Sequence, residues 1–426
     1  MEDEPQSVTE TRTAVRQWLA EAWDTSLTVR QWWARLAESG WGFPQWPTEW
    51  SGRGLGPLEA AAVREELAAA GVIGPPDGAG PSMGANVLLA YGTEEQKARW
   101  LGPLARGEEH WCQFFSEPNA GSDLASVQCK AVLDGDRWIV NGQKVWNSGT
   151  LEAVRGLLVA RTDPDLPKHR GMSFFIVDVD QPGVEIRPIR QMNGRTEFNE
   201  TFFTDAEIAA DGLVGGLNEG FRVAMATLTS ERAAYAGGGE SRFIRVMAGD
   251  KAGNLERTVA DVLAEGGDGE VGGANTPPVH THQQLIELAR RFGKADDPVV
   301  RQGIAGVYAA SEALRFTQLR AQEAARKGQD PGKETSIAYL GAVGIIRRYR
   351  DLAAAIAGPA ATLMGPDAPD GGLVAMTVMT APCHGIQGGS EQIQRNIIGE
   401  GLLGLPKEPQ VDKDLPFREI RVSTAR

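Results

Sequence analysis

The sequence is poor in cysteine, in long apolar runs and in positive charge, and each shortage excludes a class of protein. Its three cysteines, Cys112, Cys129 and Cys383, are far apart and form no CxxC pair, so neither a disulfide framework nor a zinc site is expected. No run of about 18 apolar residues occurs, so no membrane span is expected. The N-terminus MEDEPQSVTE is acidic and polar, unlike a secretory or transit peptide. The sequence therefore predicts a cytoplasmic protein.

The charge balance narrows the choice of partner. The formal net charge is −13 over 426 residues, with a pI near 5.1. A generally acidic surface argues against nucleic acid or an anionic membrane as the main partner, although a few local arginines can still hold an anionic small molecule. Hydrophobic residues make up 42% of the chain, which is enough for a large buried core. At roughly 100–200 residues per domain, the length predicts two or three domains.

The hydrophobic pattern divides the chain into three parts. Residues 1–110 predict an N-terminal helical domain, because segments such as TAVRQWLAEAW space their apolar residues as helices do. Residues 111–213 alternate apolar and polar side chains between Asp-Gly and Asn-Gly turns, which predicts a middle β domain. Residues 214–426 predict a second helical domain. A stretch rich in glycine and proline at about 264–282 is expected to be a mobile surface insertion.

Three short motifs favour a plain structural explanation. GPSMG at Gly80–Gly84 fits the nucleophile motif of serine hydrolases, but no buried strand precedes Ser82, so we expect a glycine-rich helix start. Residues 267–272 fit GxGxxG, but they lie in the predicted insertion and carry two carboxylates that would repel phosphate. His280 and His282 have no third ligand beside them, so no metal site is expected.

One long segment has a different character. CQFFSEPNAGSDLASVQCKAVLDGDRWIVNGQKVWNSGT, residues 112–150, resembles the signature of the acyl-CoA dehydrogenases. GANVLLAYGTEEQKARWLGPLARGE is similar to the family's N-terminal domain, and GGSEQIQRNIIGEGLLGLPKEP to its C-terminal signature. These matches occur in the family's order over most of the chain. The resemblance implies FAD as the cofactor and an α+β fold, mainly α, with a helical N-terminal domain, a middle β-barrel and a C-terminal four-helix bundle.

The resemblance also implies cofactor contacts in the first signature. The expected contacts are Phe115, Ser116, Gly121, Ser122, Trp146 and Ser148. Small residues in this loop let the backbone approach a ring system closely, and a serine at its edge can tune the flavin. Trp146 would pack against the ring, with ordinary barrel core as the alternative for a tryptophan in a strand. Ser122 would also face the CoA of the substrate.

The second signature is expected to bind the rest of the cofactor. By resemblance, Ser390 and Gln392 contact the FAD diphosphate and adenosine. The family's arginine that reaches the FAD of a neighbouring subunit occurs as R-x-x-F-G, but here Ala289 precedes Phe292 by three residues. Arg290 or Arg291 would take its place, and Arg290 is our candidate. The family's Q-x-x-G-G motif is also altered. We expect a homo-oligomer, a dimer or tetramer, with a heterotetramer as the alternative.

The catalytic base is displaced from its usual position. Removal of the weakly acidic proton alpha to a thioester needs a carboxylate in a dry pocket and hydrogen-bond donors on the thioester oxygen. The family's base stands five residues before Ile393, where this chain has Gly388, whose N–H can still act as a donor. Nearby Glu391 is expected to be an acid that stabilises a helix N-terminus. One branch of the family, the isovaleryl- and long-chain-type enzymes, carries the base as a Glu-Arg pair on a helix, matched here by Glu231 and Arg232.

These matches predict a reaction and its partners. Glu231 would abstract the alpha proton of an acyl-CoA, Arg232 would contact the CoA, and FAD would accept the beta hydride, giving the 2,3-enoyl-CoA. An electron-transfer flavoprotein is the expected electron acceptor. Two alternatives stay open: an oxygen-using oxidase or hydroxylase of the same fold, and an FAD-binding partner subunit of a heteromeric enzyme. For Glu231 itself, the alternative is a plain surface Glu–Arg pair.

Overall fold

The computed structural model describes residues 5–236, 243–244, 246–266, 281–327, 334–365 and 368–420, and for 229–236, 325–326 and 334 it describes the backbone alone. Its α-helices are α1 Gln6–Ala22, α2 Val29–Ser39, α3 Pro57–Ala69, α4 Ala85–Tyr91, α5 Glu94–Ala105, α6 Gly220–Ala236, α7 Val259–Glu265, α8 His282–Arg291, α9 Pro298–Arg326, α10 Glu334–Ala357, α11 Leu373–Thr380 and α12 Glu391–Gly401. Its strands are β1 Trp111–Phe114, β2 Lys130–Asp134, β3 Arg137–Ser148, β4 Arg155–Arg161, β5 Met172–Asp178, β6 Val184–Ile189, β7 Phe198–Ala209 and β8 Leu213–Val214.

The N-terminal helices pack around tryptophans of α2. Trp32 and Trp33 are almost completely buried. Their indole N–H groups donate to the carbonyls of Ile73 and Gly74, at 2.7 and 2.8 Å, so the buried rings leave no polar group unpaired. A capping box formed by Thr28 and the side chain of Gln31 begins α2. These contacts fasten α2 to the segment that follows α3.

The middle domain is one eight-stranded sheet. Its strands run in the order β6-β7-β3-β2-β4-β5-β8, and β1 pairs with β4. The pairing is antiparallel except for β1 with β4 and a single position of β2 with β4, which are parallel. Apolar side chains of β1, β4 and β5 form a core with Trp138 of β3 and Phe203 of β7. Strands β1, β2 and β3 of this sheet, with the loop 115–129 between β1 and β2, contain most of the first signature.

The segment that precedes the predicted insertion is packed against the N-terminal domain. Residues 246–262 contribute Val246, Leu255 and Val259 to the core formed by α1 and α2. The amide of Val29 donates to the carbonyl of Arg257, at 3.0 Å. At its two ends, the predicted mobile stretch 264–282 overlaps α7 and α8, while residues 267–280, with the GxGxxG match and His280, lie outside the described residues.

The GPSMG segment is a helix start, as predicted. Gly80–Gly84 forms a short π-helical turn that continues directly into α4. The hydroxyl of Ser82 donates to the carbonyl of Gly78, at 2.6 Å. No strand leads into this serine, so the geometry of a hydrolase nucleophile is absent here.

The C-terminal helices gather around α10. Its side chains, including Ile345 and Tyr349, pack with Leu285 of α8, Val307 of α9 and Val374 of α11 in one apolar core. Helix α6 begins beside β5, where Val223 and Ala224 are buried. Among the described residues, no helix has the length and apolarity needed to cross a membrane. The bundle places α6 against the sheet and the start of α12 beside the loop that follows β1.

The last described segment, residues 406–420, returns to the sheet. The amide of Phe417 donates to the carbonyl of Leu166, at 2.9 Å. The buried ring of Phe417 lies 3.7 Å below the guanidinium of Arg161. That guanidinium donates to the carbonyls of Ala125, at 2.5 Å, and Lys168, at 2.7 Å. Burial lowers the pKa of Arg161 to about 10, so the ring and the carbonyls hold a cation that is largely out of water.

We expect Phe417→Ala to loosen this segment and destabilise the fold. Loss of a buried phenyl ring costs about 3 kcal/mol and removes the face on which Arg161 packs. Urea unfolding should show the lower stability, and hydrogen exchange should speed up over residues 163–170. Val411→Ala is the matched control, because Val411 lies in the same segment with 93% of its surface exposed. Equal stability of the two variants would contradict the assigned packing.

Candidate active site

A buried ion pair fixes the loop that follows β1. The Lys144 side chain is fully buried, and its ammonium donates to a Glu117 carboxylate oxygen at 2.8 Å and to the carbonyl of Phe115 at 2.9 Å. The same carboxylate accepts the backbone N–H groups of Gln128, at 2.7 Å, and Cys129, at 2.9 Å. Both ends of the loop 115–129 are therefore tied to one buried charge pair.

Trp146 is displayed by a β-bulge. In the pairing of β3 with β7, Val145 faces Glu200 and Asn147 faces Asn199, so Trp146 is an extra residue. Its φ of +64° lies in the left-handed region, which is strained for a bulky side chain. Its side chain is 58% exposed, so ordinary barrel core is excluded for this residue. Strained, exposed aromatic groups of this kind occur at binding sites.

Asn147 holds the bulge in place. Its side-chain amide donates to the carbonyl of Gln113, at 2.9 Å, and its amide oxygen accepts from the hydroxyl of Thr201, at 3.1 Å. On the other side, the amide of Val145 donates to the carbonyl of Ser116, at 3.0 Å. Trp146 thus stands between two anchored neighbours, directly beside the loop 115–129.

The structure brings the two signatures together. The hydroxyl of Ser122 lies 3.4 Å from that of Ser390, although they are 268 residues apart in sequence. Ser390 is the N-cap of α12, and its hydroxyl accepts the N–H of Ile393. A helix N-terminus beside two hydroxyls is suited to an anionic group such as a diphosphate. A side chain at Gly121 would meet no atom within 4 Å, so there is open space here.

The turn before α12 is held by two side chains. The hydroxyl of Tyr339, on α10, shares its one proton between the carbonyls of His384, at 2.6 Å, and Gln387. The fully buried Gln394 donates through its amide to the carbonyls of Gly388, at 3.2 Å, and Gly389, at 3.4 Å. Gly388 and Gly389 have φ values of +64° and +97°, which favour glycine at both positions.

The remaining residues predicted to contact FAD differ in their exposure to solvent. Ser148 and Gln392 are exposed, and Ser116 is half-buried. Phe115 is buried, with its ring 5.9 Å from that of Phe174 in an edge-to-face contact. Arg290 is exposed at the end of α8.

The two candidate carboxylates differ in their surroundings. Glu391 lies in the first turn of α12, as predicted, but it is buried and forms ion pairs with Arg347, at 2.5 Å, and Arg395, at 3.1 Å. A carboxylate shared by two guanidinium groups is a structural anchor. Glu231 and Arg232 lie on α6, and their side chains are outside the described part of the chain.

Comparison with known proteins identifies the family. Models of the N-terminal, middle and C-terminal domains of acyl-CoA dehydrogenases match residues 3–108, 112–206 and 279–403. The chain is 37% identical over 373 residues to acyl-CoA dehydrogenase IpdE1 of Mycobacterium tuberculosis, covering 88% of this chain and 87% of that protein. The chain belongs to the acyl-CoA dehydrogenase family.

Solved structures support the same fold. The structure described as the Tcur3481-Tcur3483 steroid ACAD superposes with a TM-score of 0.68 at 24% identity, over 95% of this chain and 99% of that one. The ChsE4-ChsE5 complex from Mycobacterium tuberculosis superposes with a TM-score of 0.65 at 25% identity, over 96% and 100%. The predicted α+β fold of helices, sheet and helices is therefore confirmed.

Acyl-CoA dehydrogenases are FAD-dependent oxidoreductases, and the residues of this site fit that cofactor. Trp146 offers an exposed aromatic face, and the meeting of Ser122 with Ser390 offers hydroxyls at a helix N-terminus. Gly121 leaves space for close approach. These residues would hold FAD between the sheet and α12.

Sequence reasoning missed the groups that support this site. Lys144, Asn147, Tyr339 and Gln394 were not singled out, although Asn147 touches the backbone of β1 and the other three touch the backbone of a loop of the site. Lysine inside the alternating strand pattern at 144 is the one available signal, because a charged residue at an inward position requires a buried partner.

We expect Lys144→Met to destabilise this acyl-CoA dehydrogenase by about 3–5 kcal/mol, since it leaves the Glu117 carboxylate buried without its counter-ion. The loop 115–129 should lose its anchor, so FAD retention after gel filtration should fall as well. Lys130→Met is the matched control, because Lys130 is exposed on the adjoining strand β2. Unfolding by urea and the flavin-to-protein absorbance ratio measure the two effects. Unchanged stability would refute the role of the pair.

Proposed function

We propose that this acyl-CoA dehydrogenase converts an acyl-CoA thioester to the 2,3-enoyl-CoA, with Glu231 as the base. The observation that carries the proposal is the turn at Gly388, which offers a backbone N–H but no carboxylate side chain. Glu391, the nearby acid, is committed to Arg347 and Arg395. The Glu-Arg pair on α6 then supplies the base, as in the branch of the family whose loop also carries glycine.

In the proposed reaction, each of these residues of the chain would have a separate role. FAD, when bound, supplies the acceptor for the beta hydride. Glu231 removes the alpha proton, and the N–H of Gly388 donates to the thioester oxygen, where negative charge develops. Arg232 and Ser122 contact the CoA. Trp146 and Ser148 border the reacting part of the cofactor, while Ser390 and Gln392 hold its diphosphate and adenosine.

Glycine at position 388 would also affect the size of the acyl group that fits the site. It removes a side chain from the loop that faces the thioester, so a branched or bulky acyl group fits better than it would beside a carboxylate. We propose such a group as the substrate class. An anaerobic panel of straight, branched and ring-bearing acyl-CoAs, scored by flavin bleaching, tests it; preference for short straight chains would contradict it.

An electron-transfer flavoprotein is the proposed electron acceptor. The oxidase alternative makes a different prediction, since the reduced enzyme would then react quickly with oxygen. Bleaching the flavin with substrate under anaerobic conditions and then admitting air separates the two. Slow reoxidation by air, with fast reoxidation by an electron-transfer flavoprotein, supports the dehydrogenase.

We expect Glu231→Gln to abolish flavin reduction while FAD and acyl-CoA still bind. Removal of a general base lowers the rate by roughly 10²–10⁴-fold, because no other carboxylate takes the alpha proton. Anaerobic stopped-flow absorbance gives the reduction rate, and isothermal titration gives the acyl-CoA affinity.

Two further variants control the Glu231 experiment. Glu219→Gln removes an exposed carboxylate immediately before α6 and should leave the rate unchanged. Glu391→Gln removes the rival acid on α12. A rate that collapses in Glu391→Gln but persists in Glu231→Gln would refute the assignment of the base.

We also propose that the enzyme is an oligomer in which Arg290 reaches the FAD diphosphate of a neighbouring subunit. Its guanidinium is exposed at the end of α8, whereas that of Arg291 donates to the carbonyl of Pro369, at 2.6 Å. Of the two arginines, Arg290 is thus the one whose side chain faces solvent without this internal contact. The proposal holds for a homo-oligomer and for a heteromeric assembly with a related chain.

We expect Arg290→Ala to weaken FAD binding by about 10- to 100-fold, as befits the loss of one charge-assisted hydrogen bond. Arg291→Ala is the matched control and should leave FAD affinity near that of the wild type. Fluorescence titration of the apoprotein with FAD measures both, beside the oligomer mass from light scattering. A homo-oligomer that binds FAD equally well with or without Arg290 would refute this contact.

A further inference from the structure

We propose that Tyr339 is a positioning residue that orients the N–H of Gly388 toward the thioester oxygen. The inference rests on the proposed function, which assigns that N–H as the donor to the developing negative charge. Tyr339 touches neither the cofactor nor the substrate in this assignment. It would act through the peptide bond between Gln387 and Gly388.

The geometry of a trans peptide makes this connection. The C=O of Gln387 and the N–H of Gly388 belong to one planar unit, and they point in opposite directions across it. The described residues contain no cis peptide bonds. Because the hydroxyl of Tyr339 holds the Gln387 oxygen toward α10, the N–H of Gly388 is directed to the opposite side of the turn.

Glycine makes such an anchor necessary. With no Cβ, Gly388 explores backbone conformations that other residues avoid, and its φ of +64° is only one of several accessible values. A donor that rotates freely must be ordered again in each turnover, whereas a fixed donor needs no reorganisation. The chain has lost the side chain that would restrict residue 388, so the restriction has to come from elsewhere.

The two peptide units that flank Gly388 are held separately. Tyr339 holds the unit on its N-terminal side through Gln387, and also the carbonyl of His384 at 2.6 Å. Gln394 holds the unit on its C-terminal side through the Gly388 carbonyl, at 3.2 Å. One hydroxyl and one amide, contributed by α10 and α12, therefore restrain the peptide units on both sides of the glycine.

The test is Tyr339→Phe in the FAD-loaded enzyme, since this change removes the hydroxyl and keeps the ring. A single oxyanion donor is worth roughly 10²–10³-fold in rate, and loss of its alignment should remove part of that, about tenfold in the flavin reduction rate. Acyl-CoA affinity, FAD content and melting temperature should stay close to those of the wild type. Tyr308→Phe on α9, where the ring is 48% exposed, is the matched control.

A spectroscopic readout separates orientation from general damage. Cinnamoyl-CoA absorbs at longer wavelength when its thioester oxygen accepts hydrogen bonds. The bound ligand should show this red shift in the wild type and in Glu231→Gln, and a smaller shift in Tyr339→Phe. If Tyr339→Phe retains less FAD, the shift is compared per bound flavin, so the readout stands.

The outcomes distinguish this inference from the function on which it rests. Equal reduction rates and equal red shifts for wild type and Tyr339→Phe overturn the role of Tyr339 and leave the function intact. A wild-type enzyme that no acyl-CoA reduces overturns the proposed function and the inference with it. A wild-type enzyme that acyl-CoA reduces but that causes no red shift overturns the assigned role of Gly388, and the inference with it. A tenfold slower Tyr339→Phe with a reduced shift supports both.

Discussion

A lysine ammonium with no access to water determines the shape of the loop on which the site is built. Lys144 is fully buried, and such a charge is tolerated only with close partners. Its partners are the Glu117 carboxylate and the Phe115 carbonyl at the start of the loop, while Glu117 binds two amides at the loop's end. The contacts that satisfy the charge therefore also fold the loop. The approach of Ser122 to Ser390 depends on that loop conformation.

The proposed position of the base on α6 would separate two tasks that one residue otherwise combines. In the usual family arrangement, the carboxylate and the backbone donor belong to the same residue, so packing of its side chain also orients its N–H. With glycine at 388, the proposed base lies on α6 and the donor stays on the turn. The donor then needs its own support, which the contacts of Tyr339 and Gln394 with this turn provide.

Local sequence patterns predicted the order of helices and strands, but not the tertiary contacts that hold the site residues in place. Helical spacing and the Asp134-Gly135 turn gave the order of helices, sheet and helices, because both depend on residues close in sequence. The second predicted turn, Asn141-Gly142, was wrong, since these residues lie inside β3. The bulge at Trp146 could not be predicted, since it depends on the register between β3 and β7. Burial of Glu391 depends on Arg347, from another helix. The packing of residues 246–262 on α1 and α2 is likewise a tertiary contact without a periodic signal.

Buried cations hold both ends of the loop 115–129 through contacts within the protein itself, without any contribution from a cofactor. Lys144 anchors residues 115–117, and Arg161 binds the carbonyls of Ala125 and Val127 while Phe417 covers its other face. A loop that must be ordered on binding subtracts that ordering cost from the affinity, whereas a preformed loop does not. The return of the C-terminal segment to the sheet thus has a consequence beyond stability. By holding Arg161 against the loop, it fixes the conformation in which Ser122 meets α12, so FAD would bind a surface that is already shaped for it.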